Sequence, residues 1–408
     1  MERMLAVILA GGRGKRMDIL CHERPKPALP FAGGFRVIDF SLSNCVHSQI
    51  HDIGVLTDYH RSQMAKYLKR WYSTNVKLGS FHILEPKVGS YKGTADAVYQ
   101  NIRFLQEHPY KTLLVLAGDH VYKMDYRQMT EFHEQKKADV TVGVITVPFE
   151  QAHRFGIVKV DPQDRIIDFV EKPRYPQSNL TSMGIYVFNK QVLIEHLLKD
   201  ADQPESSHDF GYSIIPNMVK CDKAVAYRFN DYWQDIGTTE VYYEANMELI
   251  KQQPSFTLDS TRPVFTEMGN FPPPEMSRKA VARHSLISPG CVINGLVEDS
   301  IISPGVTVEE QAMVRNSIVM NNSFVGNHSV VDRCILDEGV KVGEFCYIGF
   351  GSSLIQGHWD ITVVGKDARV PSHTTIGRGC RVLPGTTEIE FSNDTILHDS
   401  IVPASQKR

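Results

Sequence analysis

An apolar run, Met4-Leu5-Ala6-Val7-Ile8-Leu9-Ala10, leads straight into Gly11-Gly12-Arg13-Gly14-Lys15-Arg16. A buried strand that ends in glycines leaves backbone N–H groups free to surround an anion, and glycine lets the backbone come close. Arg16 adds charge there, and Arg24-Pro25-Lys26-Pro27 follows within one loop length. These residue types at this spacing suit the phosphates of a nucleoside triphosphate, although a plain strand-to-helix turn can carry the same glycines. The loop reads neither G-x-x-x-x-G-K-[ST] nor G-x-G-x-x-G, which argues against an ordinary P-loop ATPase and a dinucleotide fold.

Carboxylates follow. In Leu116-Ala117-Gly118-Asp119-His120 an acid stands just past an apolar strand, and open α/β sheets bind ligands at such strand ends. Tyr232-Trp233-Gln234-Asp235-Ile236-Gly237-Thr238 supplies a second. Two such groups can hold Mg²⁺ against phosphate oxygens, while either one alone also fits a turn or helix cap. Ile167-Asp168-Phe169-Val170-Glu171-Lys172-Pro173 ends another strand in adjacent opposite charges. Glu171 can accept sugar hydroxyls and Lys172 can meet a phosphate, or the two can form a surface ion pair.

The elements that must position these residues fall into two rhythms. Over residues 1–250, apolar strands alternate with helices, as an α/β fold with a mainly parallel sheet requires. Thr112-Leu113-Leu114-Val115-Leu116-Ala117 reads as a strand covered on both faces. Thr94 to Glu107 reads as a helix capped by Thr94, with Val98, Ile102 and Leu105 on one face. Further strands are predicted at 140–147, 156–160, 166–170 and 184–188. Residues 251–280, with Phe271-Pro272-Pro273-Pro274, read as a linker.

From 281 to 390 aliphatic residues recur five or six apart at Leu286, Val292, Val297, Ile302, Val308, Val314, Val319, Val325, Val331, Leu336, Val342 and Ile348, then at Val364, Val370, Ile376 and Val382. A six-residue step is one flat side of a triangular coil, so a parallel β-helix is predicted, ahead of a C-terminal tail at 391–408.

The chain of 408 residues carries 44 basic and 47 acidic groups, a balance that disfavours a dedicated nucleic-acid binder. Its N-terminal apolar run of seven residues falls far short of the roughly 20 that span a bilayer, so no membrane partner is expected. Seven scattered cysteines with no C-x-x-C pattern read as reduced thiols of a cytoplasmic protein.

Taken together and in order, these motifs make the chain resemble the sugar-1-phosphate nucleotidylyltransferases, and within them the bacterial ADP-glucose pyrophosphorylases. The matching segments begin with Leu9 to Arg16, Arg24 to Ala28, Phe35 to Phe40 and Leu42 to Cys45. They continue with Tyr91-Lys92-Gly93-Thr94-Ala95-Asp96-Ala97, Ala117 to His120, Phe169 to Pro173, Ser182 to Phe188, Ser207 to Gly211 and Tyr232 to Thr238.

The resemblance implies a Rossmann-like nucleotidyltransferase domain followed by a left-handed parallel β-helix. It also implies transfer of the adenylyl group of ATP to glucose 1-phosphate, giving ADP-glucose and pyrophosphate for glycogen synthesis. Carried over by motif, Asp119 and Asp235 hold Mg²⁺, and Arg16 and Lys26 brace the triphosphate beside Gly11, Gly12, Gly14, Gly93 and Thr94. Tyr91, Gly156, Glu171, Lys172, Ser182, Asp209 and Trp233 take glucose 1-phosphate. Neither Cys21 nor Cys45 is given a catalytic role. A homotetramer, or a hetero-oligomer with a related subunit, is implied as well.

Alternatives are the same chemistry on another nucleotide or sugar, a regulatory subunit without catalysis, or acyl transfer by the β-helix through His358 or His373.

The chain departs from the family pattern at several positions. Lys15, Met17 and Asp58 replace the usual Thr, Leu and Gln, Glu23 stands where sugar-phosphate-activated members often carry a base, and Lys92 replaces Arg. An acid at 23 repels a bisphosphate. Activation by fructose 1,6-bisphosphate is therefore expected to stay below about tenfold, or ~1.4 kcal/mol of coupling. A titration that follows kcat and the half-saturating ATP concentration measures it.

Overall fold

The structure is a computed structural model that describes residues 4–76, 78–258, 261–351 and 360–404. Its residues divide into two compact units. Met1–Gly12 and Ile38–Trp233 form the first, and Arg13–Val37 and Gln234–Arg408 the second. The division is not the contiguous one expected from sequence, because the segment carrying Arg16 and Lys26 is tied to the β-helix unit by contacts described below.

The first unit is built on a nine-stranded sheet. Its strands are β1 (Leu5–Leu9), β2 (Asp52–Leu56), β3 (Phe81–Leu84), β4 (Thr112–Ala117), β5 (Val140–Thr146), β6 (Gly156–Val160), β7 (Ile166–Glu171), β8 (Leu180–Asn189) and β9 (Ala224–Arg228). The order is β7-β6-β8-β4-β1-β2-β3, and β8 also pairs β5, which pairs β9. From β4 to β3 every pairing is parallel, whereas β8 runs antiparallel to β4, β5 and β6. Leu5, Val7, Leu113 and Val115 are fully buried in its core, as continuous apolar strands covered on both faces should be.

The helix predicted over 94–107 is two helices, Thr94–Gln100 and Ile102–Glu107. Asn101 separates them, because its amide donates back to the Ala97 carbonyl and to the Tyr91 hydroxyl. Gly93, not Thr94, holds the cap position.

In the second unit, three all-parallel sheets wind into the predicted β-helix. Val297, Val314, Val331 and Ile348 stack in register, as do Ile302, Val319 and Leu336. Each of these coils is thus 17 residues, which is the sum of the 6, 6 and 5 steps seen in the sequence. Corner residues Asp299, Asn316 and Arg333 repeat at that interval with φ of 45°, 45° and 57°.

Two of the predicted core positions are off by one. Leu286 and Val292 are half-buried, and their neighbours Ile287 and Ile293 stack under Ile302 and Val308. The coil also exceeds its expected limits. Glu275–Met276 already pairs Val292–Ile293, and Ile396 and Val402 pair Ile376 and Val382. Cys291, Cys334, Cys346 and Cys380 are free thiols buried in the coil, and burial pushes the Cys334 thiol up.

In the first unit, His133 is buried with Nδ1 2.8 Å from Thr141 Oγ1. Burial holds its pKa down to about 4, against the opposing pull of Asp139. An unfolded histidine titrates near ~6.5, so between these values the unfolded chain takes up a proton that the folded one refuses. Stability therefore falls as the pH drops through that window. His133→Gln should shrink the loss of unfolding free energy between pH 7 and pH 4.5 by about 2 kcal/mol. Denaturant melts at the two pH values test this.

Candidate active site

In the first unit the strand ends create the site. The N–H of Gly118 donates to Leu9 O, Ala10 N–H donates to Leu56 O, and Ser41 Oγ donates to Ala117 O. These bonds finish β1 and β4 side by side, so Gly11 and Asp119 leave the sheet at the same end. A Cβ on Gly11 would lie 3.0 Å from Asp58 Cβ, while Gly12 faces open space. Asp119 is half-buried, with Oδ1 3.5 Å from His120 Nε2. The His120 ring meets Trp233 edge-on at 5.1 Å, and Trp233 meets Phe155 at 5.3 Å. Trp233 Nε1 is buried and makes no hydrogen bond among the described residues. That leaves an apolar wall with one donor to spare.

A second cluster surrounds Glu171. Its carboxylate fills the room left by two glycines: a Cβ on Gly156 would lie 2.7 Å from Oε2, and one on Gly211 2.5 Å. Lys172 Nζ pairs with Glu171 Oε1 at 2.9 Å, and its backbone takes a positive φ of 45°. Burial works most strongly against the Lys172 ammonium, yet Glu171 together with Tyr212 and Asp209 raises the pKa, so the lysine stays charged. Ser182 is buried, with Oγ 3.4 Å from the Tyr186 hydroxyl. Tyr186 feels both Glu171 and Asp209, so it belongs to this group.

Asp209 is committed to its own loop. Oδ2 accepts from the Thr94 hydroxyl at 2.8 Å, and Oδ1 accepts from the N–H groups of Gly211 and Tyr212. Thr94 Oγ1 in turn accepts from Phe210 N–H. Gly93 allows this contact, since a Cβ there would sit 2.3 Å from His208 O. Tyr91 lies elsewhere: its hydroxyl donates to Leu84 O and accepts from Asn101, and Asp58, Glu85 and Arg61 are the charges it feels.

Gly211 and Tyr186 escaped the sequence reading as site residues. The only signal for them was that they sit within the Ser207–Gly211 and Ser182–Phe188 segments.

In the second unit, Gly14 takes φ 62°, and a Cβ there would fall 2.9 Å from Cys21 Sγ and 3.2 Å from Lys26 Cβ. Only glycine fits. Lys26 is buried between Pro25 and Pro27, and its Nζ lies 2.9 Å from Asp235 Oδ1. Arg16 is exposed. The oxygen donors of Asp119 and Asp235 are of the kind that a hard cation such as Mg²⁺ takes. Burial pushes the Cys45 thiol up, which leaves it a poor nucleophile. His358 falls outside the described residues, and His373 is an exposed side chain stacked on Phe345 at 5.2 Å.

Comparison with known proteins gives the same pattern. The nucleotidyl transferase family matches residues 5–252, and the GlmU-like C-terminal hexapeptide family matches 270–362, which makes the β-helix the left-handed kind. The chain is 41% identical over 406 residues to a glucose-1-phosphate adenylyltransferase of Acetivibrio thermocellus, covering 96% of this chain and 95% of that one. A glucose-1-phosphate adenylyltransferase of Fervidobacterium nodosum is 41% identical over 412 residues, covering 97% and 98%. One of Bacillus cereus is 42% identical over 345 residues, covering 82% and 92%. With both units accounted for along nearly their whole length, the chain belongs to the glucose-1-phosphate adenylyltransferase family of nucleotidyl transferases.

Proposed function

We infer that this enzyme transfers the adenylyl group of ATP to glucose 1-phosphate, releasing pyrophosphate and supplying ADP-glucose for glycogen synthesis. The observation that carries the reading is near-full-length similarity to such enzymes, in a chain that also forms two lysine–carboxylate pairs, Lys26–Asp235 and Lys172–Glu171.

A phosphate oxygen of the sugar phosphate attacks the α-phosphorus in line, and the P–O bond to pyrophosphate breaks. The protein's work is to position the reactants and neutralise charge. Arg16 and Lys26 brace the triphosphate beside the backbone of Gly11, Gly12 and Gly14. Asp119 and Asp235 would hold Mg²⁺, which would supply positive charge against the phosphates. Glu171 accepts sugar hydroxyls, Lys172 meets the sugar phosphate, Ser182 lines the same cluster, and Trp233 offers its spare N–H. Asp209 and Thr94 act on the sugar side by holding the Gly211 loop. Gly156 and Gly211 keep space for the Glu171 carboxylate.

We further propose a cytoplasmic homotetramer, with assembly alongside a related subunit as the variant to test. Among the described residues no helix is long and apolar enough to cross a membrane. Pyrophosphate release by the purified chain, with glucose 1-phosphate and each of the four nucleoside triphosphates, tests the reaction and the base together. Activity with UTP exceeding that with ATP would overturn the assignment.

Two variants separate the parts. Asp119→Asn should keep the melting temperature and lower kcat about 100-fold or more at saturating Mg²⁺, equivalent to ~2.7 kcal/mol. Gly211→Ala forces the Glu171 carboxylate out of its seat. It should raise KM for glucose 1-phosphate about tenfold, ~1.4 kcal/mol, while KM for ATP changes less than about twofold.

A further inference from the structure

The segment Arg13–Val37 carries Arg16 and Lys26, yet it belongs to the unit of the β-helix. Charged contacts tie it there. Arg24 is 1% exposed, with Nη2 2.7 Å from Asp337 Oδ1 and 3.4 Å from Glu338 Oε2. Arg36 Nη2 reaches the other Glu338 oxygen at 3.6 Å, while its Nη1 donates to Ala28 O. Lys366 Nζ lies 3.9 Å from Glu338. On the far side of the segment Asp18 pairs with Arg381.

The carboxylates sit on a stiff corner. Asp337 N–H donates to Val364 O, its carbonyl accepts from Ser323 Oγ, and Gly339 turns the chain with φ 72°.

Stability alone explains this cluster poorly. Desolvating a buried ion pair costs about as much as the pairing returns. Here Arg24 Nε and Asp337 Oδ2 are also buried without a hydrogen-bond partner among the described residues, which adds to the cost. What the pair does supply is geometry. A guanidinium held by two carboxylates has a fixed place and direction. Only Pro25 separates Arg24 from Lys26, and Pro27 follows, so the fixed point is passed on through a stretch of restricted backbone.

We propose that Asp337 and Glu338 of the β-helix are positioning residues for adenylyl transfer, holding Arg24 so that Lys26 is presented to the nucleotide phosphates. The proposal rests on the reading of Lys26 given above.

The test uses the full chain and the variants Asp337→Asn, Glu338→Gln and Lys26→Gln. Equilibrium binding of ATP with Mg²⁺, KM for both substrates, kcat and melting temperature are measured for each, at a temperature well below every melt. Asp337→Asn is expected to weaken ATP binding at least tenfold and leave KM for glucose 1-phosphate within twofold. Glu338→Gln should act in the same direction by three- to fivefold. Amide hydrogen exchange should speed up over residues 13–29 and not in β1.

A lower melting temperature with ATP binding within twofold of the parent, while Lys26→Gln weakens ATP, would leave the cluster a structural role only and overturn the proposal. Normal ATP binding in Lys26→Gln would instead remove the reading of the segment on which the proposal stands. Should Asp337→Asn not fold, the half-buried Glu338 decides by the same criteria.

Discussion

A lysine held by a carboxylate 2.9 Å away recurs in each unit, Lys26 on Asp235 and Lys172 on Glu171. An ammonium on a four-carbon stem is mobile, and its attraction to phosphate is not directional. Pairing it with an acid restricts that motion before any substrate arrives. The pairing is worth little as stability where a side chain is half exposed, as Lys172 is at 47%. Its value is orientation. The acid must itself be held, and the two cases solve this differently. Glu171 is seated by the absence of side chains at Gly156 and Gly211. Asp235 faces a lysine whose neighbours on both sides are prolines.

That difference bears on what the sequence could disclose. Glu171-Lys172, Asp119 and the glycine loop were legible because each stands at the end of an apolar strand, where chemistry and position coincide in a few consecutive residues. Gly211 and Tyr186 were not, since their importance comes from touching a residue far away in the chain. Thr94 looks like a helix cap by type, but its hydroxyl is taken by Asp209, 115 positions later. Local propensity gives way to a tertiary partner of that kind.

The β-helix shows the same boundary from the other side. Its six-residue rhythm is local and survived almost intact. It failed at Leu286 and Val292 because each stands beside an isoleucine, and two adjacent aliphatic residues leave the register open by one. The neighbouring coils choose, by placing Ile287 under Ile302 and Ile293 under Val308. Helix 94–107 failed for a polar reason. An asparagine amide offered the backbone a different partner and broke the run at Asn101.

No local pattern assigns Arg13–Val37 to the unit of the β-helix, because the contact that does so joins Arg24 to a residue 313 positions away. Its consequence is a division of labour. Arg16 and Lys26 belong to one unit, while Lys172 and Glu171 belong to the other. A change within the β-helix can then reach the segment of Lys26 through contacts internal to its own unit. Carboxylates at 337 and 338 already pair with Arg24 Nη2, so its charge is matched within the unit. Glu23 stands exposed one residue before it, so acids flank Arg24 both along the chain and in the fold. Any anion reaching this buried guanidinium would have to displace a carboxylate already within hydrogen-bond distance.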